Sequence, residues 1–237
     1  MLRLSLQAKT TMNLWFHGGG FATIWSFGVA EEIKRLGIKT EFVGGYSAGA
    51  MVASYLLSPN EVQNDIIEKV CLGNKYSPYK DKFCMFGKAH ILMKHLQETL
   101  LGDPLEFRKN IYDKKLYIPI RGLKCLSGTW RNSWRDYDDL VETCVSSSCI
   151  PGIHGEFSTC YYDDAGSRRG PTIDGGFFSL NPPKCWDKKE TLVVSPWGNG
   201  DINMKPAAKL TDLAFPKYEN LKTHFNLGIS QCREYFS

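Results

Sequence analysis

The alternation of apolar and polar positions predicts a strand and helix series that begins near the N-terminus. Asn13-Leu14-Trp15-Phe16 is a compact apolar run that predicts a first strand, ending in His17-Gly18-Gly19-Gly20. From Thr23 to Leu36 the apolar residues Ile24, Phe27, Ala30, Ile33 and Leu36 recur at three-residue steps with Glu31, Glu32, Lys34 and Arg35 opposite. That spacing predicts an amphipathic helix with a solvated charged face, closed by Gly37. Thr40 to Val43 predicts a second strand, which passes through Gly44 and Gly45 to Ser47, and Ala48 to Leu57 then predicts a buried helix closed by Pro59. The first 57 residues therefore form a βαβα start, the pattern of an α/β fold with a mainly parallel sheet.

Beyond this unit the pattern is looser. Glu61 to Leu101 reads as mostly helical, with Leu92, Leu96 and Leu100 at steps of four and a Lys- and Tyr-rich loop from Asn74 to Lys82. Lys115 to Ile120 predicts another strand, and Pro119 predicts an edge or irregular place for it, because proline has no N–H for the ladder. Trp130 to Asp139 reads as a hairpin or exposed loop, Asp139 to Cys149 as a helix ended by Ile150-Pro151-Gly152, and Gly155 to Gly170 as a loop. Leu192-Val193-Val194 predicts a buried strand. Tyr218 to Phe236 predicts a helix with Leu221, Phe225, Gly228 and Cys232 on one face.

Three stretches carry candidate chemistry. Gly45-Tyr46-Ser47-Ala48-Gly49 is a GxSxG turn between a strand and a helix, the context of a nucleophile elbow that holds a serine hydroxyl out on a tight turn. A Gly-rich turn with a helix-capping serine spells the same five letters. Gly18-Gly19-Gly20 opens the first helix, where unpaired backbone N–H groups suit an oxyanion or a phosphate, although a plain tight turn is the simpler reading. Asp174-Gly175-Gly176 follows a short apolar run; Asp174 is a candidate base for Ser47, and the two glycines allow a sharp turn beside it.

Composition narrows the picture. The 237 residues suit a single domain, 1–237, with the motifs inside 13–183, and 43% hydrophobic with 23% charged residues is ordinary for a globular protein. A formal net charge of +4, spread along the chain, argues against a nucleic-acid surface and is compatible with mild attraction to anionic membrane. Eight cysteines without a CxxC pair read as reduced core thiols. No apolar run reaches the length of about 18 residues that a span requires, and the Met1-Leu2-Arg3-Leu4-Ser5-Leu6 start is too short for a secretory signal, so the expectation is a cytoplasmic protein that docks on membranes. His17, His90, His95 and His154 show no metal spacing, and no metal or other cofactor is expected.

Taken together, a glycine run before the first helix, a GxSxG elbow one βα unit later, a Ser148-Cys149-Ile150-Pro151 segment and an Asp-Gly-Gly turn followed by Asn181-Pro182 resemble the patatin-like phospholipase family in order and spacing. The resemblance spans residues 13 to 236. Gly18-Gly19-Gly20-Phe21 followed by Gly28-Val29 looks most like the branch that contains adipose triglyceride lipase. It implies a three-layer patatin-like fold, a mainly parallel central sheet flanked by helices, and a lipid acyl hydrolase acting on phospholipid or acylglycerol esters. Ser47 would be its nucleophile, Asp174 its only partner, and Gly18, Gly19 and Gly20 its oxyanion hole. Where many members continue the run with a small or basic residue and another glycine, this chain has Ala22 and Thr23, so a reshaped loop is expected.

Two rivals remain at this level. His17-Gly18-Gly19-Gly20-Phe21 also resembles the oxyanion loop of hormone-sensitive-lipase-type α/β-hydrolases, which would require a triad of Ser47, Asp174 and His224. The other is a non-catalytic lipid-binding protein that keeps the fold. Calcium independence is expected from the lack of calcium-loop spacing among acidic residues. Contact with a membrane or lipid-droplet surface is expected at Trp130 to Arg135 and at Arg168-Arg169, where aromatics and cations suit an interface.

Overall fold

The computed structural model describes residues 11–58, 89–123, 128–150, 159–161, 169–209 and 218–237. Its centre is an eight-stranded sheet built from β1 (Met12–Phe16), β2 (Thr40–Gly45), β3 (Leu116–Gly122), β4 (Gly128–Arg131), β5 (Thr159–Tyr161), β6 (Arg169–Ile173), β7 (Thr191–Ser195) and β8 (Ile202–Asn203), in the order β5-β6-β3-β2-β1-β7-β8 with β4 paired to β3. The run β3-β2-β1-β7-β8 is parallel throughout. β4, β6 and β5 extend it antiparallel. The expected α/β class with a mainly parallel central sheet is therefore the fold observed.

The helices are α1 (Ile24–Arg35), α2 (Ala48–Leu57), α3 (Ala89–Leu101), α4 (Lys109–Tyr112), α5 (Tyr137–Ser147) and α6 (Tyr218–Phe236). Because successive strand side chains point to opposite faces, Leu14 and Phe16, Val43, the alternate residues Leu116, Ile118 and Ile120, and Val194 all enter the helix-covered core. The intervening Trp15, Phe42, Tyr117 and Val193 enter a second, aromatic layer with Tyr46, Trp130 and Trp186. Both faces of the parallel strands are thus buried, which is why β1 reads as an unbroken apolar run. On α6 the four residues expected on one face, Leu221, Phe225, Gly228 and Cys232, are all buried.

Several expectations need correction. Glu31 and Glu32 are not on a solvated face: both are 1% exposed, because α6 packs along α1. Glu32 is held there by Arg233 at 2.9 Å and Arg35 at 3.2 Å. The crossing is close enough that a Cβ on Gly28 would stand 2.0 Å from the Phe225 carbonyl. Of the two places expected for Pro119, an edge or an irregular one, the structure has the irregular one: Pro119 faces Trp130 of β4 and lies in interior β3 between the β2 pairing that ends at Tyr117 and the β6 pairing that begins at Arg121. Part of Gly155–Gly170 is strand, since β5 pairs with β6. The segment after Trp130 is exposed only in part: Arg135, Asp136 and Asp138 face solvent, but β4 makes a hairpin with β3, Trp134 is 1% exposed, and buried Arg131 pairs with buried Asp139 at 2.8 Å. The helix that follows starts two residues early because Asp136 caps it by accepting from the Asp139 N–H. Cys144, Cys149 and Cys232 are buried thiols, whereas Cys185 is exposed. The expectations for Met1–Leu6, for Glu61–Lys88, for Pro151–Gly152 and for Arg168 lie outside the described residues, as do Cys71, Cys84 and Cys125; the side chains of Arg169 and Cys160 are likewise undescribed. No helix among the described residues is long and apolar enough to cross a membrane.

Candidate active site

Chain order and sheet order part company at β1: β2 and β3 lie to one side of it and β7 to the other. The loops that leave the carboxyl ends of β1, β2 and β7 therefore converge, which is where α/β sheets form crevices. A cleft of about 310 Å³ opens there, and Gly18, Gly19, Gly20, Tyr46, Ser47 and Asp174 belong to its wall together with Ile150, Gly176, Phe177 and Trp197.

Ser47 occupies the turn between β2 and α2 with φ 55° and ψ −137°, a conformation L-residues seldom adopt. Close packing enforces it. A Cβ on Gly45 would stand 2.5 Å from the Phe16 carbonyl, and one on Gly49 would stand 2.3 Å from it, so both glycines are needed for β2 and α2 to close on the end of β1. The Ser47 N–H donates to Ser147 Oγ at 3.2 Å, and the Ser147 hydroxyl donates to the Pro119 carbonyl at 2.7 Å. Ser147, the last residue of α5, thereby ties the elbow to β3. No part of the motif search pointed to it; its only sequence signal is the serine run that precedes Cys149.

Asp174 leaves β6 and caps a 3₁₀ turn at Gly175–Phe177, its Oδ1 accepting from the Gly176 N–H at 2.7 Å. Its own N–H donates to the Cys149 carbonyl at 2.7 Å, so the residues after α5 also fix the acid. Gly175 meets the same junction: a Cβ there would stand 2.0 Å from the Pro119 carbonyl and 2.6 Å from Ser147 Oγ. Asp174 is 6% exposed. Burial pushes its carboxyl up to about 6, against hydrogen bonds from the Ser47 hydroxyl and the Gly176 amide that pull it down. The structure thus brings Ser47 and Asp174 into the wall of one cleft, in a site dry enough to make the carboxylate a stronger base than a solvated one.

The glycine loop is held from below. Trp197 Nε1–H donates to the Gly18 carbonyl at 2.8 Å, and His17 Nδ1 lies 3.1 Å from Ser195 Oγ, which also bonds Asn199. Burial lowers the His17 pKa more than its Asn199 contact raises it, so the ring is neutral at pH 7. Gly20 takes φ +52° and starts a 3₁₀ turn, Gly20–Thr23, that feeds into α1. Thr23 is buried at the end of that turn, its Oγ1 3.3 Å from where a Gly19 Cβ would stand, so it packs beneath the loop and leaves the cleft free.

His224 does not reach the cleft. It sits on α6, the helix that packs along α1, and it is absent from the cleft wall, so a Ser47, Asp174 and His224 triad is not assembled. Among the described residues no group of three or more His, Cys, Asp or Glu is placed to hold a metal ion.

The family model for patatin-like phospholipase matches residues 14–184. No curated protein matches the chain. Similar solved structures include VipD from Legionella pneumophila, 13% identical with a TM-score of 0.44 over 79% of this chain and 50% of that one. A chain of the heterodimeric ExoU–SpcU complex from the type III secretion system of Pseudomonas aeruginosa is 13% identical, with a TM-score of 0.49 over 95% of this chain and 51% of that one. A second ExoU structure, of the type III effector protein, is 11% identical with a TM-score of 0.46 over 96% and 53%. The chain spans about half the length of the solved structures it matches.

Proposed function

Because this chain belongs to the patatin-like phospholipase family, we propose that it hydrolyses carboxylic esters of lipids with Ser47 as nucleophile and Asp174 as its sole base. The observation that carries this reading is that Ser47, on its strained turn, shares the wall of one cleft with a buried Asp174 whose pKa is raised to about 6. As Ser47 Oγ attacks the ester carbonyl, its proton passes to Asp174 and negative charge moves to the carbonyl oxygen, next to the amides of the Gly18–Gly20 loop. Asp174 then protonates the departing alkoxide. Water, deprotonated by the same carboxylate, releases the acid from the acyl-enzyme.

Phospholipid and acylglycerol esters are the substrate classes to test. The likeness to the adipose triglyceride lipase branch makes acylglycerol a natural first choice. Gly28, one of the residues behind that likeness, serves the crossing of α1 and α6, so it speaks for helix packing rather than for substrate. The lipid surface is met at the mouth of the cleft. Ile150 and Phe177 in its wall are 38% and 58% exposed, and Leu180, three residues after Phe177 in the chain, is 53% exposed. Trp134 is core and has no part in this contact. Leu180→Ser lowers binding to phospholipid vesicles while hydrolysis of a soluble short-chain ester is retained; unchanged vesicle binding removes this contact from the account.

The decisive experiment is ester turnover by Asp174→Asn and His224→Ala at matched folded fraction, with and without chelator. Loss in the first, retention in the second and indifference to chelator support the proposal. A dead His224→Ala beside an active Asp174→Asn overturns it.

A further inference from the structure

The GxSxG turn carries a tyrosine at its second position, and the mechanism above makes no use of it. Tyr46 is 9% exposed, with ring centroids 5.5 Å from His17 and 6.4 Å from Trp15. Its Cε2 lies 3.0 Å from the point where a Gly18 Cβ would stand and 3.3 Å from the corresponding point on Gly176. Cε2 is bonded to the carbon that bears the hydroxyl, so that hydroxyl is held between the glycine loop and the Asp174 turn, in the wall of the cleft that also holds Ser47. Burial first and the Asp174 charge second push the phenol up to about 12, so it keeps its proton at neutral pH. The hydrogen bonds of the Asp174 carboxylate come from Ser47 and Gly176, not from Tyr46.

We propose that Tyr46 adds a side-chain donor to the oxyanion hole beside the Gly18–Gly20 amides, its hydroxyl donating to the carbonyl oxygen of the ester that Ser47 attacks. This rests on the ester hydrolase reading. In that step the bond from Ser47 Oγ to the carbonyl carbon forms, the π pair moves onto the carbonyl oxygen, and the Ser47 proton goes to Asp174. Tyr46 shares its proton in a hydrogen bond without transferring it. The donor matters most when the oxygen is charged, so its contribution belongs to kcat rather than to KM.

The test is Tyr46→Phe, which keeps the ring and its packing, assayed on p-nitrophenyl butyrate and its thionoester across the pH range together with thermal melting. The expected result is a kcat loss of about 10²-fold on the oxygen ester with KM within about threefold, a much smaller loss on the thionoester because sulfur accepts poorly, and an unmoved acidic limb. A kcat within about threefold of wild type overturns the inference, as does equal loss on both esters with a shifted limb, which would assign Tyr46 to Asp174. Should the phenylalanine variant melt early, fluorotyrosine at position 46 keeps the shape and changes the acidity of the hydroxyl; an unchanged kcat then overturns the inference. Wild type that turns over neither ester overturns the hydrolase reading and this inference together, whereas an active wild type with a silent Tyr46→Phe overturns the inference alone.

Discussion

Ser47 reaches the cleft on β2, a turn and α2, contiguous from Thr40 to Leu57, whereas Asp174 reaches it from the end of β6, its N–H held by the Cys149 carbonyl just beyond α5 and the next residue, Gly175, packed on the Pro119 carbonyl of β3. The first arm is local: strand, strained turn and helix form one unit whose glycines close on the end of β1. The second joins the turn after β6 to the end of α5 and to Pro119 of β3, with its strand in the antiparallel part of the sheet. Burial is shared, but the source of precision differs. Contiguous backbone carries the nucleophile, whereas the acid sits on a turn that packs against two separate segments, and the bond from Ser47 N–H to Ser147 Oγ ties the first arm to the second.

The largest effect expected is on turnover. Ser47→Ala and Asp174→Asn each lower kcat by about 10⁴-fold or more, while His224→Ala stays within about threefold, as read from steady-state kinetics. Equal loss in Asp174→Asn and His224→Ala would dissolve the second arm as drawn.

The next test separates the arms by stability. Gly49→Ala drives a Cβ to 2.3 Å from the Phe16 carbonyl inside the central packing, and a loss of more than about 3 kcal/mol in urea unfolding is expected. Gly175→Ala meets the Pro119 carbonyl at the buried start of a three-residue 3₁₀ turn rather than between a central strand and helix, so it is expected to cost about 1–2 kcal/mol while it displaces Asp174 and lowers kcat about 10²-fold. Equal destabilisation by the two would erase the distinction.

The acid's burial gives a pH signature. Between its ordinary value of 3.8 and about 6, folded Asp174 holds a proton that the unfolded chain has released, so stability falls as pH rises through that window. The full cost above it is about 3 kcal/mol. Asp174→Asn removes this cost, so its stability relative to wild type rises from pH 4 to pH 7 in paired denaturation curves. The same group gives wild-type kcat/KM an acidic limb near pH 6.

Ser147→Ala is the mildest change and the most pointed. It deletes the hydroxyl between the Ser47 N–H and the Pro119 carbonyl and costs about 1–3 kcal/mol. Its coupling to Gly175→Ala, measured by a double-mutant cycle, is nonadditive if Ser147 joins the arms as described.

This division also explains what the sequence disclosed. The glycine loop, the elbow and the Asp-Gly-Gly turn are short-range motifs, so Gly18, Ser47 and Asp174 could be picked out by their resemblance, in order and spacing, to the patatin-like family. Ser147, Trp197 and the packing of Tyr46 on Gly18 work across 28 to 179 residues and leave no periodic trace. Pro119 marked an irregular place in the sheet, but that β3 changes partners there is a fact of topology. Glu31 and Glu32 misled because α1 meets a second helix on the side that its own pattern assigns to water. Trp134 looked like an interfacial aromatic because its segment is polar, yet the β3–β4 hairpin folds it inward.

The most direct test of the central claim is covalent capture with a fluorophosphonate, with the modified peptide identified by mass spectrometry in wild type, Asp174→Asn and His224→Ala. The account predicts a single adduct on Ser47 that forms at wild-type rate in His224→Ala and at least about 10²-fold more slowly in Asp174→Asn. An adduct on another residue, or labelling of Ser47 that depends on His224 and not on Asp174, would contradict it.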